Sequence, residues 1–225
     1  MRAAEELRSA LIFRAVARAA AVAKLPEHWT ERFLGMVTDE LGHARLCAQV
    51  GARLGAQEPR YDASPVRARL AALKDPTHRI TALLLVEAAM GETVSTMLFR
   101  AGRRATTEPL TRAALSAILS DEVRHQRNGW TALEALWSSL SEQQREALQL
   151  EAKQGFAALE RQVAVPALRR LAAGEPFDPA FAALGVLKPE ARVDAFYHAI
   201  ERLVVPRLSA LGLDGARAWS ERYRA

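Results

Sequence analysis

The chain contains few of the residues that mark disulfide-rich or β-rich proteins. Among its 225 residues there is a single cysteine, Cys47, which excludes both an intrachain disulfide framework and a four-cysteine zinc or iron site. Aromatic residues make up only 6% of the sequence, whereas alanine, leucine and arginine are abundant. Because that composition favours helices over strands, we predict an all-α fold.

Long apolar runs and targeting signals are also missing from the sequence. The longest uncharged apolar run, residues 80–86, ends at Glu87 and is far shorter than the ~20 residues that a membrane helix needs. The first residues lack the charged and then apolar pattern of a signal peptide. We therefore expect a cytoplasmic protein with no membrane partner.

The sequence is basic, with a formal net charge of +5. A basic surface attracts nucleic acids, anionic lipids or acidic small molecules. Most of the basic residues, however, are single arginines at helical spacing, as on a solvated helix face. We therefore expect no nucleic-acid partner.

Start and stop signals divide the chain into long helices. Ser141 and Gln144 have the spacing of a capping box. Pro166 and Pro206 should kink the helices that contain them. Glu58–Pro59 marks a turn in the loop 55–65. The predicted helices span residues 3–24, 26–54, 66–73, 76–105, 109–140, 141–174, 189–212 and a short segment after 214.

Two segments share the pattern Asp-Glu-x-x-His, namely residues 39–43 and residues 121–125. On a helix, residues three apart lie on one face, so each segment presents a carboxylate beside an imidazole. An apolar stripe normally faces the core, and buried charges need partners or a metal ion. We therefore expect a buried metal site. The apolar residues on the same faces include Phe33, Met36, Leu115 and Ile118.

The two motifs supply most of the ligands of a dinuclear carboxylate centre. Such a centre in a helical bundle takes Glu-x-x-His from two helices and a single Glu from each of two others. Iron or manganese suits this mixture of carboxylate and imidazole ligands. The predicted ligands are Glu6, Glu40, His43, Glu87 or Glu92, Glu122 and His125.

An internal repeat helps to choose among the single glutamates. It favours Glu6 over Glu5, and Glu92 over Glu87, although the helix-turn position favours Glu87. The latter two lie about 140° apart on an α-helix, so we expect one ligand and one nearby pocket carboxylate. The matched pairs of the repeat are Glu6 with Glu92, Ser9 with Ser95, and Phe13 with Phe99.

Several further residues are candidates for supporting roles. A ligating histidine usually donates its second ring N–H to a carboxylate. Asp39 and Asp121 are placed to accept such a hydrogen bond. The candidates for lining a pocket near the metals are Cys47, Trp130, His198 and Glu201.

At these residues the chain resembles the ferritin-like superfamily of di-iron carboxylate proteins, which carry Glu, Glu-x-x-His, Glu and Glu-x-x-His on four successive helices. The sequence around Glu6, Phe13, Glu92-Thr93 and Trp130 is similar to that of a group of bacterial ferritin-like proteins. The resemblance covers residues 1–140. It implies a ferritin-like four-helix bundle there, with residues 141–225 as a C-terminal helical extension of the same domain.

The resemblance also implies a function. We expect two iron ions, or two manganese ions, in an oxidoreductase that activates dioxygen to oxidise a small molecule with electrons from an unidentified donor. The extension favours this function, because a storage protein does not need it and it could wall a substrate pocket. The alternatives are an iron-binding ferroxidase or peroxide-scavenging protein, and a tRNA hydroxylase. A homodimer is one assembly that fits the sequence.

Overall fold

The computed structural model describes residues 2–57 and 60–224, and every regular element in these ranges is helical. The predicted all-α fold is confirmed. The helices begin and end within three residues of their predicted bounds. The predicted turn at Glu58–Pro59 lies outside the described residues.

The chain divides into two compact units, Met1–Glu87 and Ala88–Ala225. The boundary falls inside the third long helix, at a position that no sequence signal marks. The predicted grouping of residues 1–140 and 141–225 in one domain stays a prediction.

The first unit is built around two long helices that pack against each other, α1 (Arg2–Val22) and α2 (Glu27–Arg53). Two short helices, α3 (Ser64–Ala72) and α4 (Pro76–Leu83), pack against α1. Alanines dominate the buried side of α1, and small side chains allow α2 to approach it closely along its length. The aromatic rings of Phe13 and Phe33 fill the core of this unit.

The third long helix is not α-helical throughout. It begins as α4, continues as a π-helical segment, Leu84–Gly91, and ends as α5 (Glu92–Ala105). In a π-helix the backbone hydrogen bond joins residues five apart. The rotation per residue is therefore smaller than in an α-helix, so the separation of about 140° expected for Glu87 and Glu92 does not apply across this segment.

This helix also corrects the expectation that no segment suits a membrane. Residues Pro76–Ala105 contain a window of mean hydropathy 1.4 that is long and apolar enough to cross one. However, 78% of that window is buried inside the protein. This burial is consistent with a core helix of a soluble protein, and the predicted cytoplasmic location stays a prediction.

The second unit contains the remaining helices. Helix α5 packs against α6, α9 packs against both α5 and α7, and α11 packs against α7 and α10. A second π-helical segment, Ile200–Val204, joins α9 to α10. The helices are α6 (Pro109–Trp137), α7 (Glu142–Ala172), α8 (Pro179–Ala183), α9 (Pro189–Ala199), α10 (Val205–Leu211) and α11 (Gly215–Ser220).

Side-chain caps and prolines fix several helix ends in this unit. The predicted capping box is confirmed, because Ser141 accepts from the backbone N–H of Gln144 while the Gln144 side chain accepts from that of Ser141. Pro166 lies within the continuous helix α7. The π-helical segment lies directly before Pro206, where the missing proline N–H removes an α-helical hydrogen bond.

A buried carboxylate anchors the C-terminal helices to α7. Glu160 accepts hydrogen bonds from the Tyr197 hydroxyl at 2.6 Å and from Nη2 of Arg222 at 3.0 Å. The guanidinium of Arg222 also stacks 3.5 Å from the ring centroid of Trp219. Residues from α9 onward are therefore integrated into the second unit through α5 and α7.

Helix α6 passes directly over the π-helical segment at Gly129. A Cβ atom built at this position would overlap the backbone carbonyl of Ala88 and crowd the amide of Ala89. Backbone atoms cannot move aside as a flexible side chain can. The contact therefore requires glycine for space rather than for an unusual backbone angle.

We predict that Gly129→Ala destabilises the protein by about 1–3 kcal/mol, because the added methyl group forces α6 away from the π-helical segment. Ala113→Ser, an exposed change on the same helix, should alter the unfolding free energy by less than about 0.5 kcal/mol. Urea denaturation followed by circular dichroism measures both. Equal stability of the two variants would show that the two segments are not in contact.

Candidate metal sites

The first unit contains a buried group of two glutamates and one histidine, which we call the first cluster. Glu6 lies on α1, and Glu40 and His43 lie one helical turn apart on α2. The Nδ1 atom of His43 is 3.8 Å from Oε2 of Glu6 and 3.8 Å from Oε2 of Glu40. The ligand atoms of the three residues all lie within 4.8 Å of one another.

The local sequence explains why this cluster is buried. Phe33 and Met36 precede Glu40 on the same side of α2, and both are buried, as the apolar stripe predicted. Helix α1 approaches this side of α2 closely and thereby places the Glu6 carboxylate beside His43.

Burial changes the acidity of the first cluster. It raises the pKa of Glu6 to about 7, with the negative charge of Glu40 adding to the rise and the contact with His43 opposing it. Two carboxylates so close together and so poorly hydrated favour the binding of a cation.

The second unit contains a buried group of the same composition, the second cluster. Glu92 opens α5, while Glu122 and His125 lie one turn apart on α6. The Nδ1 atom of His125 is 3.8 Å from Oε2 of Glu92. The ligand atoms of these three residues also lie within 4.8 Å of one another. The Thr96 hydroxyl links α5 to α6, because it donates a hydrogen bond to the backbone carbonyl of Glu122 at 3.3 Å.

The spacing within each cluster fits ligands of a metal ion. Two atoms bound to one ion at about 2.1 Å lie roughly 3.0–4.2 Å apart, depending on the angle between them. The 3.8 Å separations fall in this range and are too long for hydrogen bonds. Each cluster could therefore hold a metal ion, and its two carboxylates and one imidazole suit iron or manganese.

The two candidate glutamates of the third long helix have different environments. Glu92 belongs to the second cluster. Glu87 instead forms ion pairs with Arg8 at 2.9 Å and with Arg69 at 3.5 Å in the first unit. Its charge is thus compensated without a metal ion, which favours Glu92 as the ligand, as the internal repeat does.

Those arginine partners were not foreseen from the sequence. Arg8 follows Glu6 by two residues and looks like one of many scattered arginines, and Arg69 lies in a short helix with no motif. Thr93 and Thr96 were also missed as supporting residues. The internal repeat gives no signal for them, because it aligns Thr93 with Leu7 and Thr96 with Ala10.

The aspartates that precede the two motifs are partly buried. Asp121 accepts a hydrogen bond from Arg124 at 2.9 Å, one turn along α6. Asp39 occupies the equivalent position on α2. Their predicted action on a ligand histidine stays a prediction.

The predicted pocket residues have contrasting positions. Trp130 is a core residue, with its Nε1 donating to Thr93 Oγ1 at 3.0 Å and Arg207 stacked 4.8 Å from its ring centroid. His198 and Glu201 are exposed and belong to neither cluster. Their predicted role in lining a pocket stays a prediction.

Cys47 is half-buried on α2, four residues after His43. Burial raises the pKa of its thiol to about 12, and the Glu6 carboxylate adds to the rise. The thiol is therefore neutral at physiological pH and is a poor nucleophile.

No protein-family model matches this chain, and no curated protein matches it. The resemblance to ferritin-like proteins rests on the ligand residues, their spacing and the internal repeat.

We predict that Glu92→Gln and Glu87→Gln differ in metal binding. Loss of the Glu92 charge should weaken Fe(II) or Mn(II) binding at the second cluster, by roughly 10-fold or more. Glu87→Gln should keep metal affinity but lower thermal stability, because Arg8 and Arg69 lose their partner. Isothermal titration with Mn(II) and thermal melts measure the two effects. Metal loss in Glu87→Gln alone would reverse the assignment.

We predict that Cys47 reacts at least about tenfold more slowly with a thiol reagent in the native protein than in the unfolded protein at pH 8. Because the pKa is raised, the thiolate fraction is small at this pH and increases only as the pH rises toward the raised pKa. Stopped-flow measurement with a disulfide reagent, with guanidinium-unfolded protein as control, provides the comparison. Equal rates would contradict the assigned environment of the thiol.

Proposed function

We propose that the chain is a non-haem di-iron carboxylate oxidoreductase that uses dioxygen to oxidise a small molecule. The observation that carries the proposal is the pair of buried clusters, each with two glutamates and one histidine at ligand spacing. A di-iron centre of the ferritin-like kind needs four carboxylates and two imidazoles. Each cluster contains half of that set.

The proposed fold follows from the same division of the ligands into two halves. We propose a ferritin-like bundle in which α1 and α2 supply one half of the centre, and α5 and α6 supply the other. The repeat of Glu6 and residues 39–43 by Glu92 and residues 121–125 supports a single centre with matching halves. Manganese would satisfy the same ligands.

Charge balance supports two divalent ions over one. Four carboxylates carry four negative charges, which two divalent cations neutralise. In a buried environment an uncompensated charge is strongly unfavourable. Aspartates before each motif, Asp39 and Asp121, would orient the histidines by accepting from their second ring nitrogen.

The protein's residues would contribute positioning and exclusion of water. Iron bound by these ligands would supply the redox chemistry for the reduction of dioxygen. His43 and His125 would bind through Nδ1, which is the atom that faces the carboxylates. Phe33 and Met36 would keep bulk water from the first cluster.

The C-terminal helices favour an oxidoreductase over a simple iron store. Helix α9 packs against α5, the helix that begins with Glu92, and also against α7. These helices therefore brace one of the ligand-bearing helices and provide structure that storage of iron does not require. The substrate and electron donor would be small molecules or proteins of the cytoplasm.

The purified protein should bind about two iron ions per chain after anaerobic loading with Fe(II). His43→Ala and His125→Ala should each lose at least one ion, because each removes the only imidazole of its cluster. His198→Ala is the matched control, because this histidine is exposed, and it should keep both ions. Metal analysis by mass spectrometry measures the ratios. Fewer than one ion per chain in the wild-type protein would refute the proposal.

Exposure of the loaded protein to dioxygen separates the candidate functions. An oxidoreductase should consume dioxygen once per loaded centre and then require an electron donor. A ferroxidase would instead continue to oxidise added Fe(II) far beyond two ions per chain. Oxidation of bound iron in the wild-type protein but not in His125→Ala is the expected result.

A further inference from the structure

Helix α2 has an exposed side opposite its buried ligands, which we call the outer face. It is centred on Thr38, and its positions follow the alternating spacing of three and four residues that characterises a helix–helix seam. The residues on either side of Thr38 are Glu31, Leu34, Gly35, Leu41, Gly42 and Arg45, all exposed.

Two large apolar side chains lie on this face. Leu34 is 49% exposed and Leu41 is 38% exposed, and they are seven residues apart along one line of the helix. Single exposed leucines are common on protein surfaces. Two at heptad spacing, each beside a glycine, form a surface that another helix can cover.

Within residues 2–57 and 60–224, no contact explains the glycines beside them. A Cβ atom built at Gly35 or at Gly42 meets no atom within 4 Å. Both residues lie within α2, where glycine is among the poorest helix formers. Glycine at an open helical position is explained if a second helix approaches too closely for a side chain.

The charges on the outer face complement themselves under a two-fold rotation. Glu31 lies seven residues before Thr38, and Arg45 lies seven residues after it. If two copies of α2 cross antiparallel at Thr38, Glu31 of each copy faces Arg45 of the other. The same register places Leu34 over Gly42 of the second copy, and Leu41 over Gly35.

We propose that the outer face of α2 binds the outer face of a second copy of this chain, as an antiparallel two-fold dimer. The interface is isologous, so each apolar and each charged contact occurs twice. The leucine–glycine pairs and the opposite charges are both arranged symmetrically about Thr38. A second copy of the chain requires this symmetry, whereas a different partner does not. The dimer does not depend on metal binding, because the ligands are on the buried side of the helix.

Sedimentation velocity of the full chain at about 100 μM should show a dimer. Glu31→Arg and Arg45→Glu should each weaken dimerisation by about tenfold or more, because like charges then face each other. The double variant that carries both changes should restore the dimer. Arg112→Glu, an exposed charge reversal on α6, is the control and should remain dimeric.

Gly35→Gln tests the packing without weakening the helix. Glutamine is a better helix former than glycine, so the melting temperature of the monomer should rise while the dimer is lost. A monomeric wild-type protein at this concentration would overturn the proposal. Single charge reversals that remain dimeric would also overturn it, because the contact would then lie on another face.

Discussion

The structure depends on the burial of carboxylates on helix sides that are otherwise mostly apolar. Glu40 and Glu122 are almost completely buried, and each has a second glutamate and a histidine within ligand distance. In their charged form, such groups are tolerated only where hydrogen bonds or positive charge compensate them. We propose that two divalent ions supply that charge. The raised pKa of Glu6 shows the same requirement, since burial alone makes its charged form unfavourable.

Much of this arrangement could be predicted from sequence, because helix periodicity determines which side of a helix is buried. The spacing of Glu40 and His43, and the apolar residues before them, were sufficient to predict burial, which the structure confirms. Two features could not be predicted. The π-helical segment depends on tertiary packing, such as that at Gly129, and the partners of Glu87 come from distant positions in the sequence.

Helix α2 has two sides with different residues, to which we assign separate functions. Its buried side presents Glu40 and His43, whereas the two residues between them, Leu41 and Gly42, lie on the exposed side. The motif therefore includes positions with unrelated roles. The sequence motif indicates only the ligand positions, whereas the outer face is defined by the exposure of its residues and by the open space around Gly35.

The central claim is that the two clusters hold a single dinuclear centre. X-ray absorption at the iron edge of the anaerobically loaded protein tests it most directly, because the scattering reports both the ligands and any neighbouring iron. The account predicts oxygen and nitrogen ligands near 2.1 Å, and an iron neighbour at about 3.5–4 Å. Iron with sulfur ligands, or iron with no second iron within that range, would contradict it.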